Sequence, residues 1–434
     1  MKHHHRTALR AGAIAGASLI ALAGCSAGGA EDPDAAAEAG GELTIWAWEP
    51  TLEAVVEAYE AENEGVDIEL VNAGTGNDQY TALQNAIQAG SGVPDVAQIE
   101  YFAVPQFAIA ESLADISDLG AADLDGTFAP GPWNAVSQGD AIVGMPMDSG
   151  PMAMFYNEAV FERLGVAVPT TWEEYVQAAR DLRAADPSVS ITNDTGDAGL
   201  ATSLMWQSGA EPFAVDGTTV AVDLEGDAAR YAEIWQPLID EELFAPVTSW
   251  SDEWFAGMND GTIASITTGA WMPANLETGA PDAAGDWRVA PMPQWEAGGA
   301  ASAENGGSSL AVTADSEQAA LAYDFLEYAT TGDGVQIRLD AGAFPATTAD
   351  LESQEFLDVE FEYFGGQQAN QVFADSSANV VDGWSYLPYQ VYANSIFNDT
   401  VGQAYVGDTT IVDGLAAWQE QIDAYGEEQG FTIE

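Results

Sequence analysis

The chain has 434 residues, and its 70 acidic against 9 basic residues give a formal net charge of −61. Single hydrophobic cores rarely extend beyond about 250–300 residues, so the length predicts at least two cores. Hydrophobic residues make up 47% of the chain, which favours a folded globule despite the charge. Such an acidic surface repels nucleic acid and anionic membranes, and it suits a saline environment because salt screens the self-repulsion.

The N-terminus has the composition of a processing segment. Three basic residues within positions 1–10 precede an apolar run that is well below the about 20 residues of a membrane span. Leu-Ala-Gly-Cys follows at 22–25 and resembles a bacterial lipoprotein signal. We predict a signal peptide over 1–24, lipidation of Cys25 at the outer face of the cell membrane, and a flexible acidic tether over 25–41. A signal peptide with an incidental cysteine is the alternative.

Removal of that signal would restrict the available chemistry. It takes away all three histidines and the only lysine, and Cys25 is the only cysteine. A serine nucleophile then lacks its usual bases, a phosphate-binding loop lacks its lysine, and zinc would have to be held by carboxylates alone. We therefore expect no catalytic residue, metal or cofactor. Paired carboxylates that hydrolyse glycosides are the one common catalytic arrangement left open.

The region after the tether alternates between strand and helix patterns. Short apolar or alternating segments at 43–48, 66–71 and 95–99 predict strands, and apolar residues at helical spacing in 52–59 and 80–87 predict helices. Repeats of this length indicate parallel βαβ units, in which ligands lie beyond the carboxyl ends of the strands. The candidate residues after these strands are Trp48, Glu49, Asn77, Glu100 and Tyr101.

A stretch rich in glycine, proline and methionine at 144–157 separates this region from the next. Pro151 cannot donate to a central ladder, so we expect the chain to leave one sheet there and enter another, with Asp148 in a cleft between two lobes. An ordinary loop within one large domain is the alternative. The glycine-rich segment around Gly307 predicts a second crossing, and Ala-Phe-Pro at 343–345, directly after Gly342, predicts a third. The predicted lobes are 42–148 plus 306–342 and 152–303 plus 346–434.

The remainder of the chain mixes strand and helix patterns. Thr-Trp-Glu-Glu at 171–174 is a capping box that starts a helix, and Asp-Gly at 216–217 marks the turn of a hairpin over 212–223. The other predicted elements are strands over 152–156, 262–267 and 287–292 and helices over 158–164, 227–243 and 316–330.

Tryptophan placement is the most informative feature of the side chains. Trp48, Trp271 and Trp384 stand in loops rather than in periodic stripes, which favours a cleft lining over a core. Those that fit core stripes are Trp46, Trp172, Trp235 and Trp418. Those that fit either reading are Trp206, Trp250, Trp254, Trp287 and Trp295.

Carboxylates stand close to these loop tryptophans in the predicted fold. Flat aromatic faces suit the C–H faces of pyranose rings, and carboxylates accept hydrogen bonds from sugar hydroxyls. Glu49, Glu100 and Asp148 between walls of tryptophan therefore predict an oligosaccharide cleft. Solvated loop carboxylates are the alternative for each of them.

Several segments occur in an order and spacing that is specific as a set. They are the Cys25 lipobox, ELTIWAW at 42–48, GVPDVAQIEYF at 92–102, MPMDSGPMAMFYN at 145–157, PTTWEEY at 169–175, GAW at 269–271, VAPMPQW at 289–295 and WQEQIDAYGEEQGF at 418–431. With them, nearly the whole chain resembles the extracellular solute-binding proteins of ABC importers, in the carbohydrate-binding group that includes the maltose-binding proteins.

The resemblance implies an α/β fold of the type II periplasmic-binding-protein class, with two lobes, three hinge crossings and closure around a sugar. The family's ligand contacts fall on the first and third strand ends, the first crossing, the GAW aromatic residue and a late-loop aromatic residue. The matching residues are Trp48, Glu49, Glu100, Tyr101, Asp148, Trp271 and Trp384, and Asn77 and Gly307 complete the candidate site. The scarcity of basic residues departs from the family pattern and disfavours anionic sugars.

The expected function is thus the carbohydrate-binding subunit of an ABC importer, which captures a neutral oligosaccharide and delivers it to a membrane permease. We expect a lipid-anchored monomer without catalysis of its own. A secreted retaining glycosidase that uses two of the three cleft carboxylates is one alternative. A polyamine-binding protein is another, since acidic and aromatic groups also suit cations.

Overall fold

The computed structural model describes residues 32–407 and 409–434, so the predicted signal peptide and Cys25 lie outside the described residues. The helices are α1 Pro33–Ala39, α2 Leu52–Glu62, α3 Asn77–Ala89, α4 Val104–Ile109, α5 Pro130–Val136, α6 Glu158–Leu164, α7 Trp172–Ala185, α8 Ala198–Gln207, α9 Arg230–Asp240, α10 Asp252–Asp260, α11 Pro273–Gly279, α12 Ala319–Thr330, α13 Asp333–Asp340, α14 Thr348–Leu351, α15 Gln354–Leu357, α16 Ala369–Ser377, α17 Gln390–Ser395 and α18 Ile411–Glu428. The strands are β1 Gly41–Trp46, β2 Val66–Val71, β3 Val96–Glu100, β4 Ser137–Gln138, β5 Ala141–Ile142, β6 Met145–Pro146, β7 Met152–Asn157, β8 Thr192–Asn193, β9 Phe213–Asp216, β10 Thr219–Val222, β11 Phe244–Ala245, β12 Ser265–Gly269, β13 Trp287–Pro291, β14 Ser308–Val312 and β15 Thr432–Ile433.

A five-stranded sheet in the order β2-β1-β3-β14-β6 forms the centre of the first lobe. β1 pairs in parallel with β2 and with β3, as the βαβ prediction requires, whereas β14 is antiparallel to both β3 and β6. The helix α2 buries its predicted stripe, which begins at Leu52 and ends at Tyr59. Because β1 and β3 run in the same direction, the residues after both strands meet at one edge of the sheet.

A three-stranded antiparallel sheet in the order β12-β7-β13 lies at the centre of the second lobe. The predicted capping box is present, since the Thr171 side chain accepts from the backbone N–H of Glu174 and the Glu174 side chain accepts in return. β9 and β10 form the predicted hairpin, and β15 extends it in parallel with β10.

The chain passes between these two sheets three times. It leaves β6 of the first sheet for β7 of the second, and it returns from β13 to β14. After α13, which packs on α2, it goes back to α16, which packs on β7 and β13. We call the segments 147–151 and 303–307, which carry the first two passages, the first and second crossing segments.

Most of the core tryptophans lie as predicted. Trp172, Trp235 and Trp418 are fully buried in the second lobe, but Trp46 is only partly buried, because it faces the edge of the first-lobe core. Among the ambiguous ones, the buried residues are Trp206, Trp254 and Trp287. Trp295 is partly buried with the Arg230 guanidinium 4.9 Å above its ring, whereas Trp250 is 53% exposed.

The tether prediction is wrong for residues 33–41. Pro33–Ala39 form α1, which packs on α12 and buries Ala37, and β1 begins at Gly41. Proline suits the first turn of a helix because its missing N–H would be unpaired there, and alanine favours helix, so the short segment can fold once α12 covers it. Within 32–407 and 409–434, no helix is both long and apolar enough to cross a bilayer.

Some predicted boundaries also differ. The helix predicted over 316–330 begins at Ala319. Ser316 lies before it, where its hydroxyl donates to Asp95 Oδ1 at 2.6 Å and accepts from the Gln318 backbone N–H at 3.1 Å. The strand predicted over 43–48 ends at Trp46. Trp48 and Glu49, which follow Ala47, border the cavity described next.

Candidate functional site

A cavity of about 890 Å³ lies between the two lobes and is bordered by both crossing segments. We call it the Trp271 cavity. Its wall includes Trp48, Glu49, Gln98, Glu100, Asp148, Trp250, Trp254, Trp271, Glu304, Asn305 and Gly307. The volume falls within the range of about 300–1,000 Å³ that is typical of small-molecule sites.

Gln98 fixes the backbone at the end of the first strand. Its side-chain oxygen accepts hydrogen bonds of 3.0 Å from the backbone N–H groups of both Trp48 and Glu49. Its amide nitrogen donates to Ser308 Oγ at 3.2 Å, so the same side chain also reaches the start of β14. Gln98 is fully buried, and these contacts hold the indole and the carboxylate at the cavity wall.

Glu100 ends β3 with its carboxylate beside the Tyr80 ring. The Tyr80 hydroxyl donates to Glu100 Oε2 at 2.9 Å and accepts from the Glu100 backbone N–H at the same distance. Burial raises the pKa of Glu100 to about 7, with the hydrogen bond from Tyr80 acting against the rise and the charge on Asp148 adding to it. Glu100 therefore titrates near neutral pH, and no basic residue of the described chain borders the same cavity.

Asp148 connects the first crossing segment to the second. Its Oδ1 accepts a hydrogen bond of 2.5 Å from the backbone N–H of Ser308. Burial raises the pKa of Asp148 to about 6, and the Arg338 guanidinium opposes the rise. Arg338 itself is buried behind the cavity and donates to the carbonyl of Met147. No lysine, arginine or histidine lines the Trp271 cavity in the described part of the chain.

Glu304 lies where the two crossing segments touch. Its carboxylate accepts from the Gly150 backbone N–H at 2.6 Å and from the Ser149 hydroxyl at 3.1 Å. Burial raises the pKa of Glu304 to about 7, because these two donors only partly replace water. The segments approach so closely that a Cβ at Gly150 would lie 2.4 Å from the carbonyl oxygen of Asn305. A side chain larger than that of glycine would not fit at position 150, so the two crossing segments can lie in contact here.

Aromatic rings form the second-lobe wall. The Trp271 Nε1 donates to the carbonyl of Asn305 at 2.7 Å, which fastens the indole to the second crossing segment. The Trp250 ring lies 5.7 Å from the Trp271 ring at an interplanar angle of 28°. Trp254 packs behind them, 5.2 Å from Trp250. Most of the indoles therefore lie on the second-lobe wall. The carboxylates come from the first-lobe wall and the crossing segments, with Asp197 added from the second lobe.

Six of the nine predicted site residues border the Trp271 cavity. They are Trp48, Glu49, Glu100, Asp148, Trp271 and Gly307. Gly307 has φ +92°, and a Cβ there would meet the Tyr101 ring at 2.6 Å, so only glycine lets that ring pack beneath the second crossing segment. The other three residues lie elsewhere.

Tyr101, Asn77 and Trp384 do not line this cavity. Tyr101 is 3% exposed, and its hydroxyl donates to the backbone carbonyl of Asp148 instead of facing the space. Asn77 begins α3 on the exposed side, while the cavity wall takes Thr75 from the same loop. Packing beneath the second crossing segment takes Tyr101 out of the cavity, whereas Asn77 is simply exposed at the start of α3.

Trp384 lines a different cavity of about 1020 Å³, which we call the Trp384 cavity. Its ring stacks on Trp206 with centroids 5.1 Å apart and an angle of 6°, and it meets Phe213 edge-on. The Trp206 Nε1 donates to the carbonyl of Val381, so this pair belongs to the packing of the second lobe. The loop around Trp384 is exposed at Gly383 and Ser385, while the indole itself packs on that core.

Sequence reasoning missed Gln98, Glu304, Asn305 and Trp250. Gln98 had a usable signal, because it lies two residues before Glu100 on one strand and therefore faces the same side. Glu304 and Asn305 precede a Gly-Gly pair at the second crossing segment, which a search for polar residues next to crossings could have found. Trp250 carried no local signal.

Metal binding has no support in the geometry. Within 32–407 and 409–434, no group of three or more His, Cys, Asp or Glu side chains is arranged to hold a metal ion. The buried carboxylates instead accept hydrogen bonds from tyrosine, serine and backbone donors. Two lobes, chain passages between them and a polar-aromatic cavity at the passages define a two-lobe binding protein of the type II periplasmic-binding-protein fold.

Comparison with known proteins gives the family. The model of the bacterial extracellular solute-binding proteins matches residues 47–336, and the chain belongs to this family. A solved relative is the ABC transporter associated binding protein from B. animalis subsp. lactis in complex with β-1,6-galactobiose. It has 44% identity and a TM-score of 0.83, and the alignment covers 91% of this chain and 100% of the other.

Two curated relatives are also similar over most of their length. The arabinooligosaccharide-binding protein of Halalkalibacterium halodurans is 28% identical over 362 residues, which are 80% of this chain and 79% of the relative. The lactose-binding protein of Rhizobium radiobacter is 27% identical, over 88% of this chain and 92% of the relative. The predicted family resemblance and the predicted two-lobe α/β fold are confirmed.

Proposed function

We propose that this chain is the carbohydrate-binding subunit of an ABC importer and that it takes a neutral oligosaccharide into the Trp271 cavity. The observation that carries the proposal is an aromatic wall and several carboxylates around one cavity that no basic residue of the described chain lines. Indole faces suit the C–H faces of sugar rings, and carboxylates suit their hydroxyls. Relatives named for arabinooligosaccharides and lactose, and one solved with galactobiose, support this class of ligand.

The sugar is neutral in this proposal because of the charge on the wall. Glu49, Glu100 and Asp148 border the space, and no basic residue of the described chain lines it. An anionic sugar would add like charge beside buried carboxylates, which costs free energy. A neutral sugar instead offers hydroxyl donors to oxygens that are poorly solvated.

Binding would act by hinge closure. The lobes are predicted over 42–148 plus 306–342 and over 152–303 plus 346–434, and the chain passages between the two sheets are the natural hinges. A sugar that contacts both walls binds the closed state more tightly than the open one, and it therefore shifts the protein towards the closed state. Saturating sugar should therefore reduce the radius of gyration in solution scattering, and an unchanged radius would argue against closure.

Thermal unfolding with a panel of sugars tests the ligand class. Galactose, arabinose, lactose, β-1,6-galactobiose and arabinooligosaccharides make a suitable panel, with spermidine as the cationic comparison. A sugar at about 100 times its dissociation constant should stabilise the protein by about 2.7 kcal/mol. Stabilisation by spermidine and by none of the sugars would contradict the proposal.

The protein would bind its sugar without altering it. The family consists of binding proteins. Incubation with nitrophenyl glycosides should release no nitrophenol above the buffer rate, since the wall carboxylates have a binding role. Steady release that Glu100→Gln abolishes would instead support the retaining glycosidase.

We also propose a lipid anchor at Cys25 and delivery of the sugar to membrane permease subunits. The sequence around Cys25 supports the anchor. Cys25→Ala should release the protein into the medium with unchanged sugar affinity, because the anchor precedes both lobes. Retention of the variant in the membrane fraction would refute the anchor.

A further inference from the structure

Trp250 is the most exposed large aromatic side chain on the Trp271 cavity, with 53% of its surface in solvent. Trp254, its neighbour in the stack, is 5% exposed and donates its Nε1 proton to Asn193. The fold thus has a buried indole that anchors the stack and an exposed one that adds little to the core. The exposed indole packs on Trp254 and Trp271 and leaves about half of its surface open at the cavity wall.

The backbone at Trp250 is also unusual. Its φ of +66° lies in the left-handed region, which costs a bulky residue roughly 1–2 kcal/mol relative to the right-handed one. Glycine or asparagine would suit the position better. An indole kept on a strained backbone and in water indicates a contact that the unliganded protein does not make.

The loop that carries Trp250 is held at both ends. Asn193 donates its side-chain amide to the carbonyl of Val247 and to the hydroxyl of Ser249. Ser251, directly after Trp250, caps α10 by accepting from the backbone N–H of Trp254. The indole is therefore held in place before any ligand arrives, which lowers the entropy lost on binding.

Trp271 and Trp250 lie at different depths along the wall of the Trp271 cavity. Trp271 is bonded through Nε1 to Asn305 in the second crossing segment, so it marks the inner end of the aromatic wall. Trp250 stands next to it, 5.7 Å away between ring centroids, and it has the larger exposed fraction. The wall therefore continues from the crossing segments outward to Trp250.

We propose that Trp250 is a specificity-determining residue that contacts a sugar unit beyond the one on Trp271, so that the cavity selects oligosaccharides over single sugars. This inference rests on the proposed function. A single sugar would fill only part of about 890 Å³ and would reach the inner indole alone. A longer chain would extend along the wall to Trp250.

Calorimetric titration with ligands of increasing length tests the inference. The probes are galactose, β-1,6-galactobiose and β-1,6-galactotriose, together with arabinose, arabinobiose and arabinotriose. Trp250→Ala should weaken binding of the longest bound member of a series by about tenfold or more, and of its single sugar by less than about twofold. Trp250→Tyr, which keeps an aromatic face, should restore most of the loss.

The controls separate this inference from the proposed function. Trp271→Ala should weaken every length that wild type binds, and Trp384→Ala none, while unfolding temperatures report whether each variant is folded. A Trp250→Ala loss that is equal at all lengths, no loss at any length, or a gain would overturn the inference and leave the function standing. Binding of no sugar by wild type would overturn both.

Discussion

The two cavities of this protein are similar in size but different in chemistry. The Trp384 cavity has about 1020 Å³ and the Trp271 cavity about 890 Å³, and Glu304 and Tyr386 border both. Each also contains a near-parallel pair of indoles. Size alone would favour the Trp384 cavity as the ligand site.

The differences lie in how the polar and aromatic groups are already used. In the Trp384 cavity the partner indole, Trp206, is 7% exposed and bonded to a backbone carbonyl. In the Trp271 cavity the partner indole, Trp250, is 53% exposed. Glu100, whose pKa burial raises to about 7, borders this cavity and not the other, whereas Glu304 borders both. Groups that folding leaves exposed or poorly solvated, rather than volume, indicate where a ligand contributes free energy.

The largest effect expected from this comparison is on Trp271. Trp271→Ala should weaken sugar binding by about 2–4 kcal/mol, the range for an aromatic anchor, because a ring face and the hydrogen bond that fixes it are lost together. The unliganded fold should lose much less, since the indole is only partly buried. Titration calorimetry and denaturant unfolding of the unliganded protein measure the two quantities. A large loss of stability with near-normal affinity in the folded fraction would remove Trp271 from the site.

The converse result is expected for Trp384. Trp384→Ala removes the ring stacked on Trp206, so the free energy of unfolding should fall by about 2–3 kcal/mol, somewhat below the range for fully buried aromatic residues. Sugar affinity should change by less than about threefold. If the variant instead lost affinity as strongly as Trp271→Ala, the Trp384 cavity would be part of the ligand site.

The third effect concerns pH and has opposite signs for stability and for affinity. Because burial raises the pKa of Glu100 to about 7 from its ordinary 4.5, the folded state holds this proton more tightly than the unfolded chain. Glu100 therefore makes the unliganded protein more stable as pH falls from 8 to 5, by about 2 kcal/mol. Affinity should decrease over the same range, since a protonated carboxyl accepts sugar hydroxyls less well.

Glu100→Gln isolates this group from the rest of the charge. Asp148 and Glu304 titrate in the same range, with pKa values of about 6 and 7, and the whole acidic surface also loses repulsion as pH falls. Stability and affinity of Glu100→Gln should therefore depend less steeply on pH than those of wild type, but some pH dependence should remain. Glu57→Gln, an exposed site on α2, makes the same change in charge and should leave both slopes unchanged. Equal slopes in the Glu100 variant and wild type would contradict the assignment.

The smallest expected effect is that of salt. A neutral sugar makes no long-range charge interaction, so its dissociation constant should change by less than about twofold between low and high ionic strength. A polyamine drawn by the same carboxylates would lose most of its affinity over that range. If the affinity of the best ligand of the panel decreased steeply with salt, the result would indicate a cationic ligand and contradict the neutral sugar.

Much of the fold followed from local pattern in the sequence. The helical stripe at 52–59, the hairpin turn at 216–217 and the Thr171 capping box each depend on residues within one or two turns, and the structure has all of them. The sequence also predicted that β1 and β3 end at the same edge of the sheet, because parallel βαβ units place both strand ends together. Trp48 and Glu100 were found for that reason.

The remaining site residues depended on contacts between distant parts of the chain. Trp384 and Trp271 look alike in sequence, each in a loop beside glycine, yet one stacks on Trp206 and the other bonds to Asn305. Segment 33–39 reads as a tether until α12 covers it. No local pattern specifies which neighbour a loop side chain meets, since that partner lies more than 30 residues away in each of these contacts.

The sequence by itself thus determined the family, the parallel pairing of β1, β2 and β3, the passages between sheets and the kind of side chain at the site. Only the tertiary structure decided which aromatic rings border which cavity and which carboxylates share one buried space. The physical reason is that secondary structure follows from nearby residues, whereas burial and pKa shifts arise where separate segments exclude water together. Glu304, between the two crossing segments, has its raised pKa only because both segments cover it.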